Sequence, residues 1–318
     1  MEKMFSLNEI SLLPSSYPTD INSRSKINPY DNGKLPIFIS PMTCILNSDN
    51  FNTFQESKVI PIIPRGVSAC KFDNDSWIAY SLTDFEKSLE YDLNEMKILI
   101  DIANGHMQKI YDLVKIAKAK YPKLTIMIGN IAHPQMYSYC CEAGVDYVRV
   151  GIGGGNGCST SVQTGVHASL PWLLENIKEI KKINNGKTKI IADGGIDRTD
   201  KAIKCLALGA DYVMMGRVFA QCEEACGKII TINNQRYHEY YGMASNKGQE
   251  DISGGCSKNP EGIVTAVPIL YDLNTYCNSF EAALRSAMSY TGAHDLEEFK
   301  NNTKHMYQSI DEFKAYDK

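Results

Sequence analysis

The chain has 318 residues, with 33 Lys and Arg against 37 Asp and Glu, so its formal net charge is −4. A hydrophobic content of 43% and a charged content of 22% exclude an intrinsically disordered chain. The slightly acidic balance argues against a nucleic-acid partner, and no apolar run approaches the ~20 residues that cross a membrane. Ten cysteines without a secretory signal predict free thiols in a reducing compartment, so we expect a cytoplasmic protein.

Eight short apolar runs recur along the chain, and helix-like stretches lie between them. Their continuous hydrophobicity is typical of strands buried on both faces, as in a parallel sheet. Eight strands alternating with helices within ~250 residues indicate a (β/α)8 TIM barrel. An open doubly wound sheet is the alternative, but Asn156 stands where the third glycine of a dinucleotide fingerprint belongs. The predicted strands are 35–40, 59–64, 77–82, 97–103, 124–131, 147–153, 188–196 and 211–217.

The segments between and after these strands give further predictions. Amphipathic patterns predict helices at 106–121, 135–143 and 199–208, the last capped by Thr199. Residues 227–242 alternate around an Asn-Asn pair, which predicts a hairpin. The polar, glycine-rich residues 243–262 are predicted to be a mobile flap, and an idle surface loop is the alternative. We therefore expect one barrel domain (1–318) with an N-terminal extension (1–34) and a hairpin plus flap (227–262) inserted after the eighth strand.

Polar, acidic or glycine residues follow almost every predicted strand, at the end where a barrel of this kind has its active site. The turns Gly194-Gly195 and Gly216-Arg217 resemble a phosphate site, because backbone N–H groups reach an oxyanion only where no Cβ intervenes. Tight turns are the alternative reading. Cys158 lies in a glycine-rich loop outside the core, where a thiol can act as a nucleophile.

Motifs at these strand ends occur in a characteristic order. They are LPIFISPM at 35–42, DIANG at 101–105, GN at 129–130, VGIG at 150–153, CST at 158–160, ADGGI at 192–196, YGMAS at 241–245, PEG at 260–262 and RSAMSYTGA at 285–293. The ordered set resembles the inosine-monophosphate dehydrogenase / GMP reductase family over nearly all of the chain. The resemblance implies a (β/α)8 barrel, usually a homotetramer, in which a loop cysteine attacks C2 of a purine mononucleotide.

The resemblance also implies a role for each matching residue. Cys158 would be the nucleophile, and Thr160 and Glu261 would handle proton transfer at C2. Asp193 would bind the ribose. The substrate-binding set is completed by Ser40, Met42, Gly194, Gly195, Gly216, Arg217, Tyr240, Gly242 and Met243. An NADPH site would be lined by Asp101, Asn130 and Gly151, and potassium would be bound by the carbonyls of Gly153, Gly155 and Cys158.

Several features favour the reductase branch of the family. The dehydrogenases normally carry paired CBS modules after the second strand, whereas only a short segment separates Arg65 from Trp77, so we expect no CBS insert. Their flap also carries an Arg-Tyr pair that activates water, and residues 243–262 contain none. The motifs at 101–105 and 164–166 likewise look like the reductase branch. The resemblance thus implies reductive deamination of GMP, with an IMP dehydrogenase lacking CBS modules or a nucleotide-binding protein without turnover as alternatives.

Two positions depart from the family pattern beside the expected phosphate. Asn156 replaces a phosphate-binding hydroxyl in the loop before the nucleophile. Arg217 replaces a small residue, and its guanidinium would act either as an extra bidentate phosphate ligand or as a steric block. These departures leave open another purine nucleotide as the substrate.

Overall fold

The fold is given by a computed structural model, which describes residues 4–68, 75–155, 157–253 and 261–308. A sheet of eight parallel strands contains one strand from each of the eight predicted runs. In chain order the strands are β1 (Ile10–Leu12), the barrel strands β2 (Ile37–Ile39), β3 (Ile62–Ile63), β4 (Trp77–Tyr80), β5 (Lys97–Asp101), β6 (Thr125–Ile131), β7 (Tyr147–Val150), β8 (Lys189–Asp193) and β9 (Tyr212–Met215), and then β10 (Ile229–Ile232), β11 (Gln235–Tyr241), β12 (Val264–Pro268) and β13 (His305–Tyr307).

The eight barrel strands form a closed ring. In the sheet, β2 pairs with β9, and each strand from β9 to β4 pairs with the strand that precedes it in the chain. All of these pairs are parallel. Between β2 and the residues before β3, Ile39 N donates to Ile60 O and Ile60 N donates to Ile37 O, each at 2.9 Å. The TIM-barrel prediction is therefore confirmed.

Helices lie between the barrel strands and beyond them. They are α1 (Phe51–Glu56), α2 (Leu82–Ser88), α3 (Gln108–Lys120), α4 (Met136–Ala143), α5 (Thr160–Thr164), α6 (Leu170–Ile183), α7 (Thr199–Ala207), α8 (Arg217–Ala220), α9 (Asn246–Ser253), α10 (Leu273–Thr291) and α11 (Leu296–Asn302). The three predicted helices correspond to α3, α4 and α7. The predicted cap of α7 is wrong: Arg198 is the N-cap and Thr199 is the first helical residue. Within the described ranges, no helix combines the length and apolarity needed to cross a membrane.

Two buried layers explain why the strand runs are apolar throughout. Along β5, Ile98 and Ile100 point outward into the cluster shared with the helices, whereas Leu99 points into the barrel. The barrel interior is filled by aromatic and aliphatic side chains, in which Phe38 and Tyr147 both meet Trp77 edge to face. Because this interior is packed, a ligand has access only at the strand ends.

The hairpin lies where the sequence predicts it. β10 and β11 pair antiparallel, and the connecting residues Asn233 and Asn234 have φ angles of 50° and 61°, which the asparagine side chain tolerates better than most. β12 adds a third strand to β11, and β1 pairs with β13. Neither pairing was predicted, and the second ties the N-terminal extension to the far end of the described chain.

Part of the predicted flap is helical. α9 occupies residues 246–253, and its first turn is fixed by a hydrogen bond of 3.1 Å from Gly248 N to Ser245 Oγ. Residues 254–260, which include Gly254, Gly255 and Lys258, lie outside the described residues, as does Asn156. Mobility of the flap stays a prediction.

Candidate active site

A cavity of about 250 Å³ opens at the carboxyl ends of the barrel strands. Every described residue to which the sequence analysis assigns a site role lines it: Ser40, Met42, Asp101, Asn130, Gly151, Gly153, Gly155, Cys158, Thr160, Asp193, Gly194, Gly195, Gly216, Arg217, Tyr240, Gly242, Met243 and Glu261. Parallel strands bring their carboxyl ends to one face of a barrel, so residues far apart in sequence converge there.

Three side chains in the cavity form a continuous hydrogen-bonded path. The Cys158 thiol donates to Thr160 Oγ1 at 3.1 Å, and Thr160 Oγ1 donates to Glu261 Oε2 at 2.6 Å. The second contact has the length of a charge-assisted O–H···O⁻ hydrogen bond. A proton on the thiol therefore has a route through the hydroxyl to the carboxylate.

Backbone hydrogen bonds hold the cysteine loop against the segment that carries Glu261. Ser159 N donates to Glu261 O at 2.8 Å, and Ile263 N donates to Gly157 O at 3.2 Å. On its other side the loop is closed by a bond of 3.0 Å from Cys158 N to Gly155 O. These contacts set the spacing between the thiol and the carboxylate.

A buried arginine joins the two acidic residues of the cavity. Arg149, which is 8% exposed, projects from β7 and donates to Asp101 Oδ1 at 2.6 Å and to Asp193 Oδ2 at 2.8 Å. Burial lowers the pKa of Arg149, but the charges and hydrogen bonds of Asp193 and Asp101 outweigh it and raise that pKa. Asn130 Nδ2 donates to the same oxygen of Asp193 at 2.7 Å. The hydrogen bonds that Asp193 accepts from Arg149 and Asn130 all end on its Oδ2, and within the described part of the chain no hydrogen bond is found to its Oδ1.

Among the described residues, Arg149 and Arg65 are the charged residues of the cavity to which the sequence analysis assigned no role. Arg65 Nε lies 3.2 Å from Asp101 Oδ2, yet this buried nitrogen has no hydrogen bond of acceptable geometry among the described residues. The sequence did contain one signal for the role of Arg149. This arginine stands inside an apolar strand run, and a charge buried there needs partners of opposite charge.

A second corner of the cavity collects polar groups around Gly216. A Cβ on Gly216 would lie 3.1 Å from both Met42 Sδ and Tyr240 OH, and 3.3 Å from Ser40 Oγ. Burial raises the pKa of Tyr240, so its hydroxyl stays protonated at neutral pH and can donate a hydrogen bond. Arg217 lines the same cavity and forms no ion pair with the residues described.

The glycine turn after β8 is fixed by close approach of the cysteine loop. Gly194 and Gly195 have φ angles of 105° and 72°, and a Cβ on Gly195 would lie 2.7 Å from Gly154 O. Only glycine fits such a position without a shift of the backbone.

Two of the three expected potassium carbonyls already accept hydrogen bonds. Gly153 O accepts from Ser161 Oγ at 3.0 Å, and Gly155 O accepts from Cys158 N at 3.0 Å. Across the described ranges there is no group of three or more His, Cys, Asp or Glu side chains that could bind a metal ion.

Comparison with known proteins identifies the family of the chain. The family model for the IMP dehydrogenase / GMP reductase domain matches residues 90–314, which is more than half of the chain. The chain belongs to the IMP dehydrogenase / GMP reductase family. The resemblance that the strand-end motifs carry is thereby confirmed.

Relatives in the IMP dehydrogenase / GMP reductase family carry both names. An inosine-5'-monophosphate dehydrogenase of Chlorobaculum parvum is 36% identical over 219 residues, which are 65% of this chain and 44% of that protein. A GMP reductase of Streptococcus pyogenes serotype M49 is 33% identical over 246 residues, which are 77% of this chain and 69% of that protein. The chain thus spans less than half the length of this dehydrogenase and about two thirds of the reductase.

Proposed function

We propose that this protein is a GMP reductase, which converts GMP to IMP and ammonia with NADPH as the reductant. The observation that supports it most is the path from Cys158 through Thr160 to Glu261. A purine placed with C2 at the thiol would have its 2-amino group beside the same hydroxyl and carboxylate. The path therefore serves both the nucleophile and the leaving group.

The proton balance of the first step fits this path. The Cys158 proton passes through Thr160 to Glu261, and the thiolate forms a bond to C2 of GMP. Glu261 then returns that proton through Thr160 to the amino group, and the C2–N bond breaks to release ammonia. General acid–base assistance of this kind contributes about 10²–10⁴-fold to a rate.

The residues beside the path fit a nicotinamide. Asp101 offers carboxylate oxygens to an amide N–H, and Arg65 Nε is a buried donor without a hydrogen bond among the described residues. Asn130 and Gly151 also line the cavity. NADPH bound there would supply a hydride to C2, and as the new C2–H bond formed the C2–S bond to Cys158 would break, which would release IMP and the thiolate.

The remaining substrate groups have matching partners. The free oxygen of Asp193 suits a ribose hydroxyl, and the corner formed by Ser40, Gly216 and Tyr240 suits the 5'-phosphate, with Arg217 as an added cation. Met243 and Glu261, which also line the cavity, would contact the base. Gly194, Gly195 and Gly242 leave room for the nucleotide backbone, and Met42 closes the corner.

The dehydrogenase alternative needs a base that activates water at C2. The sequence has a single Arg-Tyr dipeptide, Arg236-Tyr237, and it lies in β11, where Arg236 pairs with Glu223. Neither residue lines the cavity. Lys247 in the flap is paired with Glu239, so it is not a free base.

The proposal is tested by incubating the protein with GMP and NADPH while absorbance of the reduced nicotinamide and free ammonia are both followed. A reductase consumes NADPH and releases ammonia in equal amounts. Formation of XMP from IMP and NAD, without ammonia from GMP, would instead identify the dehydrogenase. Tight binding of GMP with neither reaction would identify a binding protein.

Four further expectations belong to this proposal: one barrel domain without a CBS insert, a homotetramer, a cytoplasmic location, and potassium at the carbonyls of Gly153, Gly155 and Cys158. Each hydrogen-bonded carbonyl keeps a second lone pair for an ion. Light scattering gives the oligomeric state, and replacement of K⁺ by Li⁺ in the assay tests the ion.

A further inference from the structure

Helix α9 is joined to two neighbouring elements by one carboxylate oxygen. Asp251 Oδ2 accepts a hydrogen bond of 2.6 Å from Thr43 Oγ1 and another of 2.7 Å from Tyr241 OH. Thr43 follows β2 in the same loop as Ser40 and Met42, and Tyr241 is the last residue of β11. Hydrogen bonds to an ionised carboxylate are roughly twice as strong as neutral ones.

The same threonine also contacts a cavity residue. Thr43 N lies 3.5 Å from Met243 Sδ, and Thr43 Oγ1 lies 3.8 Å from it. The residue after Met243 contacts Glu261 through the backbone, because Ala244 O accepts a hydrogen bond of 3.1 Å from Glu261 N. The contacts of Asp251 therefore lead through Thr43 and the start of the flap to Met243 and Glu261.

Polar contacts, rather than an apolar face, hold the rest of α9. Lys247 pairs with Glu239 of β11, and its ammonium lies 5.2 Å from the centre of the Tyr241 ring. At the other end of the helix, a Cβ on Gly66 would lie 3.1 Å from Asp251 O. Among the described residues few apolar contacts offset the entropy of ordering this helix, so each polar anchor carries a large share of its stability.

We infer that Asp251 is a positioning residue of the active site, which fixes Met243 and Glu261 by fastening α9 to Thr43 and Tyr241. Asp251 does not line the cavity, so it acts through these neighbours. Nothing in the proposed reaction assigns it a chemical step. The inference deepens the proposed function and rests on it only for its kinetic readout.

The test compares Asp251→Ala with Glu90→Gln, which removes a carboxylate from an exposed turn outside the site. We expect amides of residues 246–253 to exchange roughly tenfold faster in Asp251→Ala, because a hydrogen bond to a charged group is lost. Exchange in the barrel strands should stay as in wild type, which shows that the variant folds. The turnover number with GMP should fall roughly tenfold and KM should rise, since misplaced catalytic groups reduce the rate. Thr43→Val should give a similar change and add little in the double variant.

Two results would overturn the inference. One is Asp251→Ala with kinetic constants like those of Glu90→Gln, whether or not exchange in α9 rises, since this leaves only a structural role. The other is full additivity of Thr43→Val and Asp251→Ala. If the wild type does not act on GMP, the proposed function fails by itself, and GMP affinity replaces the kinetic readout: weaker binding in Asp251→Ala supports positioning, and unchanged binding rejects it.

Discussion

Thr160 Oγ1 lies 2.6 Å from Glu261 Oε2, although 101 positions separate the two residues in the chain. The same hydroxyl accepts the hydrogen bond of the Cys158 thiol. A single threonine therefore stands between the nucleophile and the carboxylate that receives its proton. The proposed proton transfer depends on this arrangement.

Replacement of the nucleophile separates binding from chemistry. Cys158→Ala should abolish turnover with GMP and NADPH while GMP affinity stays nearly unchanged, because the thiol forms its bond only after binding. Cys141→Ala, at a half-buried thiol within hydrogen-bond distance of Thr188 Oγ1, is the matched control and should keep its activity. A Cys158→Ala enzyme with even a tenth of the wild-type rate would contradict the assignment.

Replacement of Glu261, the carboxylate at the end of the proton path, should slow ammonia release. We expect Glu261→Gln to lower the turnover number about 100-fold or more, since the amide cannot accept and return the proton. GMP affinity should change far less, and Thr160→Val should show a similar defect because it interrupts the same path. Rapid-quench measurement of ammonia provides the check, and an unchanged rate in either variant would exclude the path.

Replacement of Arg217 tests whether its side chain binds the phosphate or blocks the site. If its guanidinium binds the 5'-phosphate, Arg217→Ala should raise KM for GMP about tenfold or more, since hydrogen bonds between charged groups are among the strong ones. Binding of guanosine, which lacks the phosphate, should stay the same. A lower KM for GMP in Arg217→Ala would show instead that the side chain obstructs the site.

The buried arginine should matter for stability as well as for the site. Arg149→Met leaves Asp101 and Asp193 without their shared cation, and breaking a buried pair in this way costs about 3–5 kcal/mol. Arg236→Met is the matched control, because its pair with Glu223 is more than half exposed and should be worth less than about 1 kcal/mol. Urea unfolding measures both, and equal losses would contradict the buried network.

The ionisation of Glu281 on α10 should make the stability of the protein depend on pH. Burial raises the pKa of Glu281, but hydrogen bonds from Lys58, Tyr30 and Arg285 outweigh it and lower that pKa to about 2. Because the folded value lies below the ordinary value of 4.5, the stabilisation is present above pH 4.5 and is lost as the pH falls towards 2. Glu281→Gln should therefore be less stable at neutral pH and decline less steeply on acidification. Urea unfolding at several pH values measures the free energy of unfolding of both proteins. If it changed with pH in the same way in wild type and in Glu281→Gln, this prediction would be contradicted.

The sequence was sufficient for the barrel because each barrel strand is buried on both faces. Runs such as 97–103 carry apolar residues at successive positions, and Leu99 faces inward while its neighbours face the helices. The hairpin was predictable for a local reason too, since Asn233 and Asn234 accept the positive φ that a two-residue turn requires. The convergence of the site residues then follows from strand direction alone.

Features that depend on distant partners were not predictable from the sequence. Helix α9 has no apolar stripe, because Asp251 and Lys247 fasten it by polar contacts to elements outside the flap. The role of Arg149 depends on two carboxylates on other strands, and local pattern does not show such a partner. The pairing of β1 with β13 joins short segments from the two ends of the described chain.

The central claim is that the thiol displaces ammonia from C2 before any hydride is transferred. Its most direct measurement is a rapid-quench reaction with GMP but without NADPH, analysed by mass spectrometry of the peptide that carries Cys158. The account predicts ammonia in amounts stoichiometric with enzyme and a purine nucleotide attached to Cys158, both absent in Cys158→Ala. Ammonia that appears only when NADPH is present, or an adduct on another cysteine, would contradict it.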